Sequence, residues 1–257
     1  MFTRNLFAIA LLAIAIIPLP PVSAQEVKSK TLELTIVVDE MPPEEKRIFR
    51  VHKDVDVFGK QIENVCLRVD EKTLGLADVL AITRPKSPIE NKEPKVHTIQ
   101  FIGGNFDPPV LVASKGDRLR IVSKERVGIM PRTALETIPS SDKTIIGSNK
   151  TYSLDKPTDT PVEIDCSIYP WARCSVYMQD KRTCSLTNRE GTCRVELLPS
   201  NEPGKHPRIQ FWHVYLESLQ IKEPTPGLKM VRKNYLEVDF DQVVDGQKLR
   251  LVAKLKP

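Results

Sequence analysis

The sequence lacks the short patterns by which many enzymes are recognised. It contains no HExxH pair, no G-x-S-x-G elbow, no G-x-x-x-x-G-K-[ST] loop and no G-x-G-x-x-G turn. Zinc peptidase, serine hydrolase, nucleotide and dinucleotide chemistries therefore have no foothold. Histidine occurs only at His52, His97, His206 and His213, spaced too widely for an obvious zinc cluster. Aromatic residues make up 6% of the chain, so nothing points to a carbohydrate-stacking face. No repeat period, heptad seam or long low-complexity tract is visible, which excludes solenoids and coiled coils. Asp239, Asp241 and Asp245 lie near a turn but miss the EF-hand spacing and lack its closing Glu, so a solvated turn is expected there.

Long apolar runs are also scarce. The exception follows a short basic start, Met1-Phe2-Thr3-Arg4-Asn5, and continues as LFAIALLAIAIIPLP. It is too short and too Pro-terminated for a comfortable membrane span, and Val22-Ser23-Ala24 offers the small residues of a cleavage site. Residues 1–24 read as a signal peptide, with an uncleaved anchor as the alternative. Gln25 would open the mature chain, with no transmembrane segment after cleavage and a periplasmic or secreted location. The formal charge of +5 is spread among mixed Lys, Arg, Asp and Glu rather than gathered in a block, which argues against nucleic acid as a partner. A protein or cell-envelope partner of unknown identity is the remaining expectation.

What is abundant is proline, 21 residues, with short runs of β-branched and apolar residues. This pattern predicts an all-β chain. Strands are expected at 31–38, 79–83, 97–102, 110–113, 118–122, 162–166, 174–178, 183–187, 193–197, 209–215 and 248–255, at spacings suited to a Greek-key sandwich or barrel. Lys115-Gly116-Asp117, Asn188-Arg189-Glu190-Gly191 and Asp245-Gly246 read as turns, the last two as hairpins. The polar stretches 84–94 and 223–229 read as surface linkers. They divide the chain into an N-terminal β segment with its Pro-rich loop (25–95), a main sandwich (96–222), and a linker with a C-terminal β-hairpin (223–257).

Five cysteines, Cys66, Cys166, Cys174, Cys184 and Cys193, leave at least one thiol unpaired within the chain. Cys184 and Cys193 flank the expected turn at 188–191 as diagonal neighbours, near the limit of disulfide reach. They are a candidate disulfide, competing with a reduced pair packed as small hydrophobes and with Cys174 as another partner.

The segment Cys166-Ser167-Ile168-Tyr169-Pro170-Trp171-Ala172 follows one expected strand and precedes another. It resembles the ligand loop Cys-x-Ile-His-Pro-Trp-Met of a bacterial family of secreted cupredoxin-like proteins, similar to methylamine utilisation proteins. Phe106-Asp107-Pro108-Pro109-Val110-Leu111 resembles that family's F-x-P-H-V-L, and Gly116 to Ile121 its G-x-x-L-x-I strand. Further similarity runs through Val69 to Val79, Leu186 to Gly191, Glu196 to Pro199 and Phe211-Trp212-His213, so that it covers about residues 53 to 220. The resemblance implies a cupredoxin-like Greek-key β-sandwich with additional N- and C-terminal β segments.

The same resemblance places the former copper-ligand positions at Pro109, Ile129, Cys166, Tyr169 and Ala172. Pro, Ile and Ala donate nothing, and a neutral phenol is a poor copper ligand, so a type 1 site is not expected to assemble. The family's Cys before Gly59-Lys60 is Phe58 here, and its implied disulfide is lost too. The expectation is therefore a non-catalytic binding or structural module without a cofactor. Ile129, Tyr169 and Trp171 would fill the old pocket. The alternative is a periplasmic copper-binding or electron-transfer protein that draws soft ligands from Cys166, Cys174, Met130, Met178 and His213. Against it, Met and free Cys are common core residues, and His213 beside Trp212 suits a buried hydrogen-bonded histidine.

Overall fold

The computed structural model describes residues 28–50, 61–83, 93–125, 127–135, 149–156, 158–179, 183–199 and 205–257. The signal segment 1–24, His52, Phe58 with Gly59-Lys60, and most of the linker 84–94 lie outside them. Among the described residues no helix is long and apolar enough to cross a membrane.

The elements in chain order are β1 (Lys30–Val38), α1 (Glu44–Arg47), β2 (Ile48–Arg50), β3 (Gln61–Glu63), β4 (Leu80–Thr83), β5 (Val96–Ile102), β6 (Asn105–Asp107), β7 (Val110–Ser114), β8 (Arg118–Ser123) and β9 (Pro131–Thr133). They continue with β10 (Asn149–Ser153), β11 (Val162–Cys166), β12 (Arg173–Gln179), β13 (Thr183–Leu186), β14 (Thr192–Leu197), β15 (Arg208–Trp212), β16 (Leu216–Ile221), β17 (Leu228–Arg232), β18 (Tyr235–Val238) and β19 (Gln247–Leu255). Among the described residues the chain is all-β apart from the single turn of α1.

Among the described residues four of the five sheets stack into two sandwiches, the fifth being the two-stranded β2-β3. A four-stranded sheet in the order β14-β1-β19-β16 faces a five-stranded sheet in the order β13-β4-β15-β18-β17. Their shared core includes Leu32, Leu34 and Ile36 of β1, Leu249 and Leu251 of β19, Ala81 of β4 and Phe211 of β15. The second sandwich, 93–179, is inserted between β4 and β13. Its sheets run β10-β8-β5-β6 and β7-β12-β11-β9, and enclose Ile99, Phe101, Leu119, Ile121, Ile164, Cys174 and Val176. β12 is buried along its middle because its other face meets the first sandwich: Tyr177 packs with Leu80 and Ile82 of β4, flanked by Val112, Cys184, Leu186 and Trp212. A strand covered on both faces reads as an unbroken apolar run, and VYM within β12 and LAI within β4 do so.

The strands therefore divide the chain differently from the linkers. Residues 183–212 pair with the N-terminal strands and not with 93–179: β14 runs antiparallel to β1, β13 and β15 flank β4, and β16 pairs with the C-terminal β19. Asp245-Gly246 does not turn a hairpin, because β18 and β19 lie in different sheets. The C-terminal hairpin is instead β17–β18, turning at Lys233-Asn234. The strand expected to reach Tyr215 ends at Trp212, where His213 initiates a turn: its carbonyl accepts from Leu216 N–H and its Nδ1 from Tyr215 N–H.

Asn188 to Gly191 does form a turn, with Gly191 N–H bonded to Asn188 C=O at 3.0 Å, yet the flanking strands part into separate sheets. Gly191 sits where the strands part. Its carbonyl accepts from Ile36 N–H at 2.8 Å, and a Cβ on Gly191 would lie 2.2 Å from Ile36 O and 2.7 Å from Gly75 Cα. The backbone is thus clamped to β1. The acidic turn is also structural: Asp239 accepts from Asp241 N–H and Gln242, and Asp245 accepts from the Thr31 N–H and hydroxyl at 2.7 and 2.6 Å.

Candidate functional site

Of the five positions named from the resemblance, Ile129, Cys166, Tyr169 and Ala172 share the core of the inserted sandwich. β11 delivers Cys166, the loop 167–172 carries Tyr169 and Trp171, and Ala172 leads into β12. The loop closes on itself: Cys166 N–H donates to Ala172 C=O at 3.1 Å, and Ala172 N–H to Tyr169 C=O at 2.9 Å. Ser167 N–H ties it to Met130 C=O at 2.9 Å, next to Ile129. Pro109 is buried just before β7, and its carbonyl accepts from Ser175 N–H on β12 at 2.8 Å.

Ile129, Cys166 and Ala172 have no exposed surface, and Tyr169 is 5% exposed. These four side chains belong to the single apolar core of the sandwich. The Tyr169 ring stacks on Phe101 of β5, with centroids 5.4 Å apart and planes at 26°, and tilts against Trp171 at 5.6 Å. Phe101 in turn meets Phe106 edge-on at 5.5 Å. Trp171 is anchored by its indole N–H, which donates to Gly104 C=O at 3.0 Å. A run of four rings thus joins the β5–β6 hairpin to the loop 167–172. Burial, with a lesser push from a Cys166 thiolate, raises the Tyr169 phenol above its ordinary range and holds it neutral.

Of these five residues, Cys166 alone carries a sulfur donor, and the core it shares holds no histidine. A trigonal copper site needs two imidazoles beside the thiolate. None of the described histidines is in this core: His97 is at the start of β5, four residues before Phe101, His206 is exposed, and His213 belongs to the other sandwich. The residues present do not fit a type 1 copper ion. Among the described residues no group of three His, Cys, Asp or Glu side chains is placed to hold a metal ion.

The alternative soft-ligand set is not brought together as a whole. Cys166, Cys174 and Met178 line the inner core and Met130 is half-buried in the loop before β9. His213 is buried at the rim of the first sandwich, its ring 6.1 Å from that of Tyr215. Burial, reinforced by Lys256 and opposed by a hydrogen bond with the Cys66 backbone, lowers its pKa from 6.5 to about 4. It is a neutral structural histidine.

The candidate disulfide positions are separate thiols. Cys184 stands opposite Ile82 in one sheet, its Sγ donating to Gln179 Oε1 at 3.3 Å, whereas Cys193 stands opposite Leu34 in the other sheet and packs on the first core. All five cysteines are unbonded, and burial pushes both of these thiols up to about 12.

Sequence reasoning did not single out Phe101 as the stacking partner of Tyr169, nor Asp117 as a hub. Asp117 is buried and accepts from Lys95 N–H and Ser114 N–H, both at 2.9 Å, and from His97 Nε2 at 2.7 Å. Burial works against its charge, but these three bonds outweigh it and hold the carboxyl below its usual range. The Gly-Asp turn before β8 was the available signal for Asp117.

No protein-family model and no curated protein matches the sequence. Solved structures similar to part of the chain include a reduced amicyanin variant, at 13% identity over 38% of this chain and 98% of that one, with a TM-score of 0.29. Amicyanin from Paracoccus versutus is similar at 11% identity over 38% of this chain and 97% of that one, also with a TM-score of 0.29. A copper-containing nitrite reductase from Thermus scotoductus SA-01 is similar at 18% identity, covering 36% of this chain and 25% of that one, with a TM-score of 0.27.

Proposed function

We propose that residues 93–179 form a cupredoxin-like module whose copper positions have been taken over by packing, within an exported, non-catalytic binding or structural protein. One observation supports this reading: Ile129, Cys166, Tyr169 and Ala172, which the resemblance aligns with copper ligands, share one buried apolar core, and Tyr169 is stacked on Phe101. The rigid aromatic run serves the fold and leaves the loop surface, where Ile168 is 42% exposed, for contact with a protein or cell-envelope partner. Export is supported by the basic start, the apolar run and Val22-Ser23-Ala24.

Copper loading tests the core of the reading. The purified chain is incubated with Cu(II), and separately with Cu(I) under reductant, then dialysed and assayed for metal content and visible absorption. The expected result is no intense thiolate-to-copper band and no stoichiometric copper. One equivalent of retained copper overturns the proposal. Mass spectrometry of protein recovered after export should give Gln25 as the first residue, and an intact N-terminus would overturn the processing step.

A further inference from the structure

Alternation sorts the β10-β8-β5-β6 sheet of the inserted sandwich into two faces. Ile99 and Phe101 of β5 and Leu119 and Ile121 of β8 point into the core and have no exposed surface. Their neighbours along each strand point the other way. Val96 and Ile102, at the two ends of β5, are 49% and 50% exposed. Beside them β8 presents Arg118 and Arg120, which stand opposite Val96 and Thr98 of β5 and opposite Ser153 and Thr151 of β10. The only carboxylate among the residues of these four strands is Asp107, on the edge strand β6.

Neither arginine is neutralised. Among the described residues no ion pair or hydrogen bond engages either guanidinium. Arg118 is exposed, whereas Arg120 is half-buried and its Nε–H is shut off from water without an acceptor. The base of the Arg120 guanidinium is thus packed on the sheet. A planar fork held in this way meets a carboxylate through two parallel bonds and gives up less freedom per bond than a lysine would. Alternate residues of a strand stand ~6.7 Å apart, so Arg118 and Arg120 offer two forks at the spacing at which an extended peptide carries its own alternate side chains.

We propose that this face is a docking surface for an extended acidic segment of a protein partner. Two carboxylates on alternate residues pair with Arg118 and Arg120, and apolar side chains of the partner cover Val96 and Ile102. The apolar ends and the small number of cations favour a protein over a membrane or a polyanion. Attachment to anionic lipid by charge takes clusters of roughly four to eight basic residues, and a phosphate or sulfate chain has no hydrocarbon to place on Val96 and Ile102. The proposal names a partner chemistry for the binding module read above, and rests on that reading.

The test titrates the isotope-labelled full chain with a synthetic peptide in which Glu-Val-Glu is flanked by serine and threonine, and with its Gln-Val-Gln counterpart, while backbone amide shifts are recorded. The expected result is saturable shifts along β5 and β8 with the acidic peptide, weakening as salt is raised, and none with the amide peptide. Arg118→Gln and Arg120→Gln should each weaken binding by about 3- to 5-fold. Arg120→Lys should weaken it as well, because the charge remains and the fork is lost. Lys229→Gln, at an exposed position on β17 of the other sandwich, should leave it unchanged. Absence of saturable shifts on β5 and β8 overturns the proposal, as does an equal response to the amide peptide or an equal loss in Lys229→Gln. Vesicles of phosphatidylglycerol and phosphatidylcholine, and inorganic phosphate, are titrated in parallel. If either shifts the same residues as strongly as the peptide, charge alone governs the face and the proposal is overturned. Copper loading of the same sample keeps the two readings separable: retained copper overturns the loss of the metal site, whereas the titration reports on the sheet face alone.

Discussion

Mild acid should destabilise the first sandwich through one buried imidazole. His213 is 3% exposed, and its pKa falls from 6.5 to about 4 on folding. Between these values the unfolded chain binds a proton that the folded chain refuses, so unfolding free energy decreases as pH is lowered through this window. The full contribution of neutral His213 is present above pH ~6.5, and the slope below that approaches ~1.4 kcal/mol per pH unit. Taken from pH 7 to pH 4.5, the loss amounts to about 2.5 kcal/mol. Carboxylates titrate in the same range, so the comparison needs a control that keeps them. His213→Gln removes the titration while retaining a side chain that donates and accepts hydrogen bonds. The assay is urea denaturation of both proteins at several pH values from 7 to 4.5. The parent should lose about 2.5 kcal/mol more than the variant over this range, whatever their difference at pH 7. Parallel pH dependences would refute the assignment of His213 as a buried neutral base.

Three further outcomes follow from the geometry. Gly191→Ala should cost at least about 2 kcal/mol in urea denaturation, since Gly191 has φ +76° and its new Cβ would meet Ile36 O at 2.2 Å. Asp117→Asn should destabilise by roughly 1–3 kcal/mol at neutral pH by weakening the bonds to Lys95, Ser114 and His97. Because the Asp117 carboxyl sits below 3.8 in the fold, its contribution is full above that pH and fades as pH falls through the lowered folded value, where parent and variant should converge. The triple variant Pro109→His, Ile129→His and Tyr169→His should melt well below the parent without metal, having placed imidazoles in a dry core, and copper should raise its melting temperature but not that of the parent.

The long strands were legible because their residues alternate or cluster in ways that only a sheet satisfies. β1 buries Leu32, Leu34 and Ile36 on one face, and β11 was read with its observed bounds. The missed strands lack that signal for particular reasons. β10 reads NKTYS and is largely polar, β6 and β9 are three residues each, and β16 carries an irregularity between Leu216 and Ser218 that interrupts its alternation. Sheet membership was less legible still. Asn188 to Gly191 has the composition of a hairpin turn, yet β14 pairs with β1 in the other sheet, and the Gly191 backbone lies close against Ile36 and Gly75. At the candidate site, Tyr169 and Ala172 were visible as residues out of keeping with the loop that the segment resembles. Phe101 was hidden because a core phenylalanine on a strand announces nothing about which ring it will meet.

The parallel pairing of β1 with β19, with Leu34 opposite Leu249, fixes the order in which the molecule can be assembled. A chain emerging from a ribosome or an export channel presents 93–179 as one continuous stretch, able to collapse with contacts of modest sequence separation. The surrounding sandwich has no such freedom. Its central strand β1 waits with one edge unpaired until β19, more than 200 residues later, has been delivered. Until then Leu32, Leu34 and Ile36 form part of an open sheet edge of the kind that invites pairing with foreign strands. Folding of the inserted module ahead of this pairing would shorten the effective loop that must close, making it a built-in scaffold for its own host.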